Sequence, residues 1–322
     1  MHFDVVVLGT LDDKHVSSVV DHLAARGVEA ACVDQVALWR DTVTFEPASC
    51  RLRVGSRSVS GCSLVWNRRI YHPALDQMSV GDRKFARAEF GHALFGALMA
   101  LTTRWFNAPE ANRNAAYKAA QLRWAANDSR LRIPRSAITS NLAHLRAFIA
   151  DRRTRYIVKA LGRPMIENDE GFEPLHTTLI DARLARSLSD IRNAPCIVQE
   201  FIERQYEVRL NVIGDRVFAT RMDTSRDAAI GSGAEADGRF MADYRDIVHT
   251  AIEAPAGIAA ACTEMCAYFG LRFGAFDFAV DRNGDWIFFE VNPYGQWYWI
   301  EEMTGQALSE AMAHEICRQL GR

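Results

Sequence analysis

Hydrophobic residues occur along the chain in runs whose spacing predicts strands and helices in alternation. Near the N-terminus, FDVVVLG predicts a buried strand, HVSSVVDHLAARG predicts an amphipathic helix that ends at Gly27, and VEAACVD predicts a second strand. Short strands and turns follow as far as SLVWNRR (63–69), and a long helical segment is predicted from about 82 to 103. This strand–helix–strand beginning is typical of the α/β class.

Beyond residue 106 the pattern changes to a few helices among many strands. A break at NAPEANRNA (107–115) opens a helix that extends to about 127, and RIPRSAITSN predicts an extended crossover with a helix cap at Ser140 or Asn141. Strands are predicted at RYIVKAL, PCIVQEFI, YEVRLNVI, RVFATRM, FGAFDFAV and DWIFFEVN, with helices near 181–190, 255–269 and 306–320. The small, polar stretch at 223–239 is predicted to be a mobile loop of the kind that often covers a site.

Length, charge and hydropathy indicate a soluble globular protein. A chain of 322 residues should form two or three cores, because single cores rarely grow beyond ~250 residues. The net charge of −2 argues against a broad electrostatic attraction to nucleic acid. The apolar run ALFGALMAL (93–101) is far shorter than the ~20 residues that a membrane span needs. We therefore expect neither a nucleic-acid partner nor a membrane partner.

Several common motifs are missing from the sequence. The seven cysteines are scattered and contain no CxxC, which favours a reducing, cytoplasmic environment over a disulfide framework or a zinc site. Cys262 and Cys266 lie one helical turn apart and are predicted to be small buried thiols. VVVLG has no basic flank, so it is not a signal peptide. LGTLDDKH contains neither GxGxxG nor GxxxxGK[ST], so the first βαβ unit is predicted to serve packing and not phosphate binding.

The strongest chemical signal lies in the two apolar runs that flank DRNGD (281–285). Asn283–Gly284 predicts a two-residue type I′ hairpin between them. If Arg282 faces Asp285 across that turn, the register places Asp277 directly opposite Glu290. Two like charges at opposed positions destabilise a sheet, so this register makes sense if a cation lies between them.

Alternation along the two strands completes a candidate metal site. It places Asn292 on the face of Glu290 and four apolar side chains on the other face, namely Phe276, Phe278, Phe289 and Val291. Two carboxylates and an amide oxygen suit Mg²⁺ or Mn²⁺ and leave coordination positions for phosphate oxygens. The alternative is an exposed strand face that carries ordinary acids. The Phe, Trp, Ile and Val residues around these acids favour the metal site.

Polar residues upstream of the hairpin form a candidate nucleotide site. Lys159 ends the apolar strand YIVK and Lys118 lies near a helix start, although lysines in such positions are often only surface cations. The exposed backbone at 200–202 would suit an adenine, and Glu207 would suit ribose hydroxyls. Arg209, on the same strand face as Glu207, would neutralise a transferring phosphoryl group.

The order of these residues resembles that of the ATP-grasp carboxylate–amine ligases. Within that superfamily, EVNPYGQWYWIEEMTG (290–305) resembles the graspetide, or microviridin-type, synthetases that modify ribosomally made peptides, whose usual run is close to EVNPNGQW-x-W-IE-x-x-TG. VWNRR (65–69) is similar to that group's W-x-R-R, and ADYR (242–245) to its D-[WY]-R. Tyr294 replaces the commoner Asn, and Asn67 lies where an aromatic residue is frequent.

The resemblance implies an ATP-grasp fold of the α/β (α+β) class. It implies a pre-ATP-grasp βαβ domain at 1–106, a central subdomain at 107–195 and a C-terminal subdomain with the metal hairpin at 196–322. The two subdomains would enclose ATP. The nucleotide ligands would be two lysines for the phosphates, three hinge residues for adenine and one acid for ribose: Lys118 and Lys159; Glu200, Phe201 and Ile202; and Glu207.

The resemblance also implies the metal and substrate residues. Two Mg²⁺ ions, or Mn²⁺, would be bound by Asp277, Glu290 and Asn292, and Asn292 would contact the nucleotide as well. Arg209 would stabilise an acyl-phosphate. The substrate residues would be Asp243 and Arg245, the latter also catalytic. The aromatic trio at 297–299 is predicted to pack between subdomains instead of stacking on a peptide.

The activity implied by the resemblance is ATP-dependent crosslinking of a precursor peptide that carries a leader segment. An Asp or Glu side chain would be activated as an acyl-phosphate, and an ester or amide ring would form within the peptide. A homodimer is also implied. One rival is a ligase that joins a free amino acid to a small acid or a protein terminus, and another is a non-catalytic subunit that binds nucleotide or peptide. A full set of metal ligands argues against the second rival, since a binding-only protein need not keep it.

Overall fold

The strands of this chain form five sheets in the part that the structure describes. The computed structural model describes residues 2–38, 42–55, 57–68, 75, 77–102, 104–162, 165–168, 171–181, 184, 188–223 and 247–322. Within these ranges the chain is a mixed α/β molecule, as the hydrophobic pattern predicts. No helix in them combines the length and the apolar character that crossing a membrane requires.

The N-terminal part is a parallel sheet with strand order β2–β1–β6–β7, beside a small antiparallel sheet of β3, β4 and β5. Its elements are β1 (His2–Leu8), α1 (Lys14–Ala24), β2 (Ala30–Val33), β3 (Val43–Glu46), β4 (Arg51–Val54), β5 (Arg57–Val59), β6 (Gly61–Asn67), α2 (Val80–Leu101) and β7 (Trp105–Phe106). Alternate residues of β1 enter different cores: Val5 and Val7 pack with α1, while Val6 and Leu8 pack with α2. Burial on both faces explains the uninterrupted apolar run in β1.

The central part is a four-stranded antiparallel sheet with strand order β12–β9–β13–β8, preceded by two short helices. Its elements are α3 (Pro109–Ala115), α4 (Lys118–Ala126), β8 (Ser136–Thr139), α5 (Leu142–Phe148), β9 (Tyr156–Lys159), β10 (Met165–Asn168), β11 (Gly171–Pro174), β12 (Thr178–Leu179), a 3₁₀ helix (Leu188–Arg192) and β13 (Cys196–Glu200). The predicted cap is confirmed at Asn141, whose side chain accepts from the backbone N–H groups of Ala143 and His144.

The C-terminal part is a five-stranded antiparallel sheet with strand order β16–β15–β14–β17–β18. Its elements are β14 (Arg204–Ile213), β15 (Arg216–Met222), β16 (His249–Ile252), α6 (Ala256–Phe269), β17 (Phe273–Asp281), β18 (Trp286–Asn292), α7 (Tyr298–Thr304) and α8 (Leu308–Leu320). One sheet face packs against α6, where Cys262 and Cys266 are buried as predicted. The opposite face carries the polar residues of the candidate site.

Two helix predictions differ from the structure. The single helix predicted up to about 127 is two helices, because Tyr117 between them is extended (φ −77°, ψ 102°). No glycine or proline marks this break in the sequence, whereas the break allows Lys118 to begin a helix beside β18. The helix predicted near 181–190 falls partly outside the described residues, and the described part contains the short 3₁₀ helix at Leu188–Arg192.

The metal hairpin has a different turn from the predicted one. Asp281 and Asp285 are joined by a backbone hydrogen bond of 3.1 Å, so the loop has three residues and the type I′ prediction is wrong. Among its residues only Gly284 has positive φ (83°), whereas a type I′ turn needs two such residues. The side chain of Asp281 accepts from the backbone N–H groups of Asn283 and Asp285 and stabilises the longer loop.

A β-bulge corrects the register that the turn would otherwise shift. Phe278 pairs with Phe288, but Asp277 pairs with Glu290, so one extra residue lies in β18 between these pairs. The predicted opposition of Asp277 and Glu290 is therefore confirmed. The predicted position of Phe289 in the core is wrong, because Phe288 occupies the core and Phe289 faces the cavity.

The domain limits stay a prediction. Strand β13 pairs with β8 and β9, although the predicted limit at 195 would separate them. Helices α3 and α4 contribute Ala115 and Ala125 to the core of the C-terminal sheet. We propose that the limit between the last two units lies just after Glu200.

Candidate functional site

A cavity of about 540 Å³ opens between the central and C-terminal sheets. Nine of the predicted site residues line it: Lys159, Glu200, Phe201, Ile202, Glu207, Arg209, Asp277, Glu290 and Asn292. Lys118 reaches the same place through a contact with Glu290. Residues more than 130 positions apart are thus brought to one cavity. Asp243 and Arg245 lie outside the described residues.

The predicted metal ligands lie together at the end of β17 and β18. Asp277 is paired with Glu290 across the strands, and the amide of Asn292 donates to Glu290 Oε1 at 3.3 Å. Glu290 is only 7% exposed. In the described residues, no three His, Cys, Asp or Glu side chains group closely enough to bind a metal by themselves. Two carboxylates and an amide form an incomplete oxygen set, which water and phosphate oxygens would complete around Mg²⁺.

Each of the two carboxylates already has a cationic partner. The ammonium of Lys118 forms an ion pair with Glu290 Oε2. Arg209 Nε lies 2.8 Å from Asp277 Oδ1, an ion pair whose N–H is not aligned as a hydrogen bond. All four side chains are at most about one-fifth exposed. The cations offset the repulsion between the opposed acids, which would otherwise destabilise the sheet.

The predicted hinge and ribose residues lie further along the same cavity. Glu207 forms an ion pair with Arg204 at 2.6 Å, and both side chains line the cavity. The guanidinium of Arg155 stacks on the ring of Phe201 at 4.4 Å and fixes this side of the hinge. The ammonium of Lys159 lies 5.9 Å from the centre of the Phe289 ring, which the bulge turns toward the cavity.

A buried glutamine fixes the strand that carries the metal ligands. Gln121 in α4 is 1% exposed, and its amide both donates to Val291 O (2.9 Å) and accepts from Val291 N (3.0 Å). These two bonds replace the ladder partner that an edge strand lacks. Because Lys118 begins the same helix, α4 holds β18 and supplies a cation to Glu290 at once.

The N-terminal part braces the loop that follows Asn292. Asn67 donates to the hydroxyl of Tyr294 at 3.1 Å, and Arg68 donates to the Tyr294 backbone oxygen at 3.2 Å. These are the two positions at which the sequence departs from the graspetide pattern, and they contact each other. A Cβ on Gly295 would collide with Ala275, so only glycine permits this close approach.

Asp13, the helix cap of α1, anchors the same brace. Its carboxylate binds His15 Nδ1 at 2.6 Å, and His15 Nε2 accepts from the backbone N–H of Trp297 at 3.0 Å. Burial alone would raise the pKa of Asp13, but the bond to His15 and the charge of Arg68 outweigh it and lower the pKa to about 2. The βαβ unit that lacks a phosphate loop therefore serves to position the 293–297 loop.

Replacing Asp13 with asparagine is expected to reduce the free energy of unfolding at pH 7 by about 2 kcal/mol. The folded pKa of about 2 lies below the unfolded value of 3.8, so this stabilisation is complete above pH 3.8 and is lost as the pH falls toward 2. Urea unfolding of both proteins at pH 7 and pH 3 measures the effect. A difference that does not narrow at pH 3 would contradict the role of the ionised carboxylate.

The structure adds residues that the sequence analysis does not identify. His249, Gln199 and Trp299 line the cavity, and the rings of His249 and Trp299 meet edge to face at 5.1 Å. Burial lowers the pKa of His249, with the backbone of Ile247 acting in the opposite direction. Trp297 packs in the core as predicted, whereas Trp299 is part of the cavity wall. An isolated His at the start of a short strand carries no sequence signal for this position.

Comparisons with known proteins give structural likeness only. No protein-family model matches the sequence, and no curated protein is significantly similar to it. The macrocyclase MdnC from Microcystis aeruginosa MRC, bound with precursor peptide MdnA, has a TM-score of 0.84 at 21% identity and covers 99% of this chain and 100% of its own. A RiPP-associated ATP-grasp ligase from Chryseobacterium gregarium, in complex with ADP and a leader and core peptide, has a TM-score of 0.83 at 22% identity, with coverage of 99% and 97%.

A third solved structure contains a metal. The ATP-grasp ligase PsnB, complexed with a phosphomimetic variant of its minimal precursor, Mg and ADP, has a TM-score of 0.79 at 22% identity and covers 99% of both chains. The likeness extends over almost the whole of each molecule, including the N-terminal part. The predicted fold is thereby confirmed, and this chain has the ATP-grasp fold.

Proposed function

We propose that this chain is an ATP-dependent ligase that forms ester or amide crosslinks within a ribosomally made precursor peptide. The observation that carries the proposal is the convergence of two paired carboxylates, an amide and several cations on one cavity. The graspetide-like run at 290–305 and the peptide-bound ligases of the same fold support the choice of a peptide substrate.

The residues present fit two Mg²⁺ ions, or Mn²⁺, held by Asp277, Glu290 and Asn292. When bound, such ions neutralise the triphosphate and polarise its phosphorus–oxygen bonds. Lys118 and Lys159 would bind phosphate oxygens, and Arg209 would neutralise the charge that develops on the transferring phosphoryl group. We further propose that the hinge holds adenine and that Glu207 holds ribose.

In the proposed reaction, a side-chain carboxylate of the peptide attacks the γ-phosphorus of ATP, ADP leaves, and an acyl-phosphate forms. A Ser or Thr hydroxyl, or a Lys amine, of the same peptide attacks the acyl carbon, and phosphate leaves as the hydroxyl or amine loses its proton. The peptide loses one water per linkage. Because both groups belong to one bound peptide, proximity supplies much of the rate. Asp243 and Arg245 are proposed to contact this peptide, and the active form is proposed to be a homodimer.

The experiment uses the peptide encoded beside this gene, with a core rich in Thr, Asp and Glu. Incubation with the enzyme, ATP and Mg²⁺ is expected to lower the intact peptide mass by one water per linkage, with ADP formed in parallel. Added hydroxylamine should instead trap the acyl-phosphate as a hydroxamate. An unchanged peptide mass with intact ATP would refute the proposal.

The same incubation tests the rival ligase activity. Addition of a free amino acid to the peptide or to a small acid would increase the acceptor mass instead of lowering it. Mass spectrometry with and without a mixture of the twenty amino acids separates the two reactions. A mass gain that depends on one amino acid would favour the rival.

A further inference from the structure

One wall of the cavity contains a buried hydrogen-bond acceptor without a partner. Gln199 is 1% exposed and lies at the end of β13, directly before the hinge. Its Oε1 is shielded from water and has no hydrogen-bond partner among the described residues. Leaving such an acceptor unsatisfied is costly, and most buried polar atoms in folded proteins have partners.

The orientation of the Gln199 amide is fixed by its cross-strand neighbour. Ser136 lies opposite Gln199 in the sheet, and its hydroxyl donates its only proton to Pro134 O at 2.7 Å. The Ser136 oxygen can therefore only accept, and it accepts from Gln199 Nε2 at 2.8 Å. Reversing the amide would set two acceptors against each other. Oε1 is thus the atom left for a ligand.

We propose that Gln199 reads the group at position 6 of the purine and selects adenine over bases that carry an oxygen there. The inference rests on the proposed function, which places adenine at the adjoining hinge. The 6-amino group of adenine is a donor and would satisfy Oε1. The 6-oxygen of hypoxanthine or guanine is an acceptor and would face Oε1 unfavourably.

The test compares three nucleotides that differ only at position 6: ATP with an amino group, purine riboside triphosphate with hydrogen, and inosine triphosphate with oxygen. Isothermal titration calorimetry with Mg²⁺ and without peptide measures binding in the absence of turnover. For the wild type, removal of the amino group should weaken binding about 10- to 100-fold, and the oxygen should weaken it further.

Two variants assign the effect to this side chain. In Gln199→Met, ATP and purine riboside triphosphate should bind almost equally, because the acceptor is gone; comparing the two ratios isolates the contact. In Ser136→Ala, the amide is free to turn its NH₂ group to the base, so the preference for ATP over inosine triphosphate should shrink. Gln205→Met is the control, since Gln205 is exposed and binds Arg282 O outside the cavity; it should keep the wild-type ratios. Thermal melting verifies that each variant is folded.

The results separate this inference from the proposed function. Equal binding of ATP and purine riboside triphosphate to the wild type, or an unchanged ratio in Gln199→Met, would overturn the role of Gln199 and leave the ATP site intact. Failure of all three nucleotides to bind the wild type would overturn the ATP site itself.

Discussion

Replacing Glu290 with glutamine should reduce the rate of ADP formation by about 10³-fold or more. The side chain is buried among the proposed metal ligands, and the charge of a metal site acts on developing phosphate charge at short range. Stability should change by less than about 1 kcal/mol, because the attraction to Lys118 and the repulsion from Asp277 are lost together. A coupled ADP assay and a thermal melt measure the two quantities.

Asp285→Asn is the matched control for Glu290→Gln. Asp285 belongs to the same hairpin, but its side chain is 45% exposed and pairs with Arg132 away from the cavity. This variant should keep wild-type ADP formation. Persistent turnover in Glu290→Gln would remove Glu290 from the metal site, whereas equal losses in both variants would indicate damage to the hairpin as a whole.

The hairpin shows how far local sequence rules extend. Alternation and the apolar runs locate both strands and place Asp277 opposite Glu290, because burial of one face fixes the register. The turn type is mispredicted because the Asp281 side chain stabilises a three-residue loop that Asn283–Gly284 does not reveal. The bulge at Phe289 then compensates for the extra turn residue. The correct register at the site therefore depends on two local departures that cancel.

Contacts between distant segments account for most of what the sequence does not predict. The pairing of Lys118 with Glu290 joins residues 172 positions apart, and no local pattern specifies it. The bond between Asn67 and Tyr294 is similar, since each position separately departs from the graspetide pattern. Together the two residues restore one aromatic and one amide side chain at the same contact. A single sequence reveals such an exchange only after the fold brings the positions together.

Removing the ammonium of Lys118 is expected to change metal and nucleotide affinity in opposite directions. Without nucleotide, Lys118 and Arg209 neutralise Glu290 and Asp277, so a divalent ion must compete with two cations for its carboxylates. Lys118→Met should therefore bind Mn²⁺ alone about tenfold more tightly, because one competing positive charge is gone. The same variant should bind ATP with Mg²⁺ about 10- to 100-fold more weakly, because a phosphate ligand is lost.

Electron paramagnetic resonance of Mn²⁺ measures the first affinity, and calorimetry with ATP and Mg²⁺ measures the second. Lys118→Arg keeps the charge and should leave the Mn²⁺ affinity near the wild-type value, while Lys84→Met, on the exposed side of α2, should change neither. If Lys118 only positioned Glu290, both affinities would fall together in Lys118→Met. The opposite signs therefore distinguish a lysine that exchanges its carboxylate partner for phosphate from one that merely supports the strand.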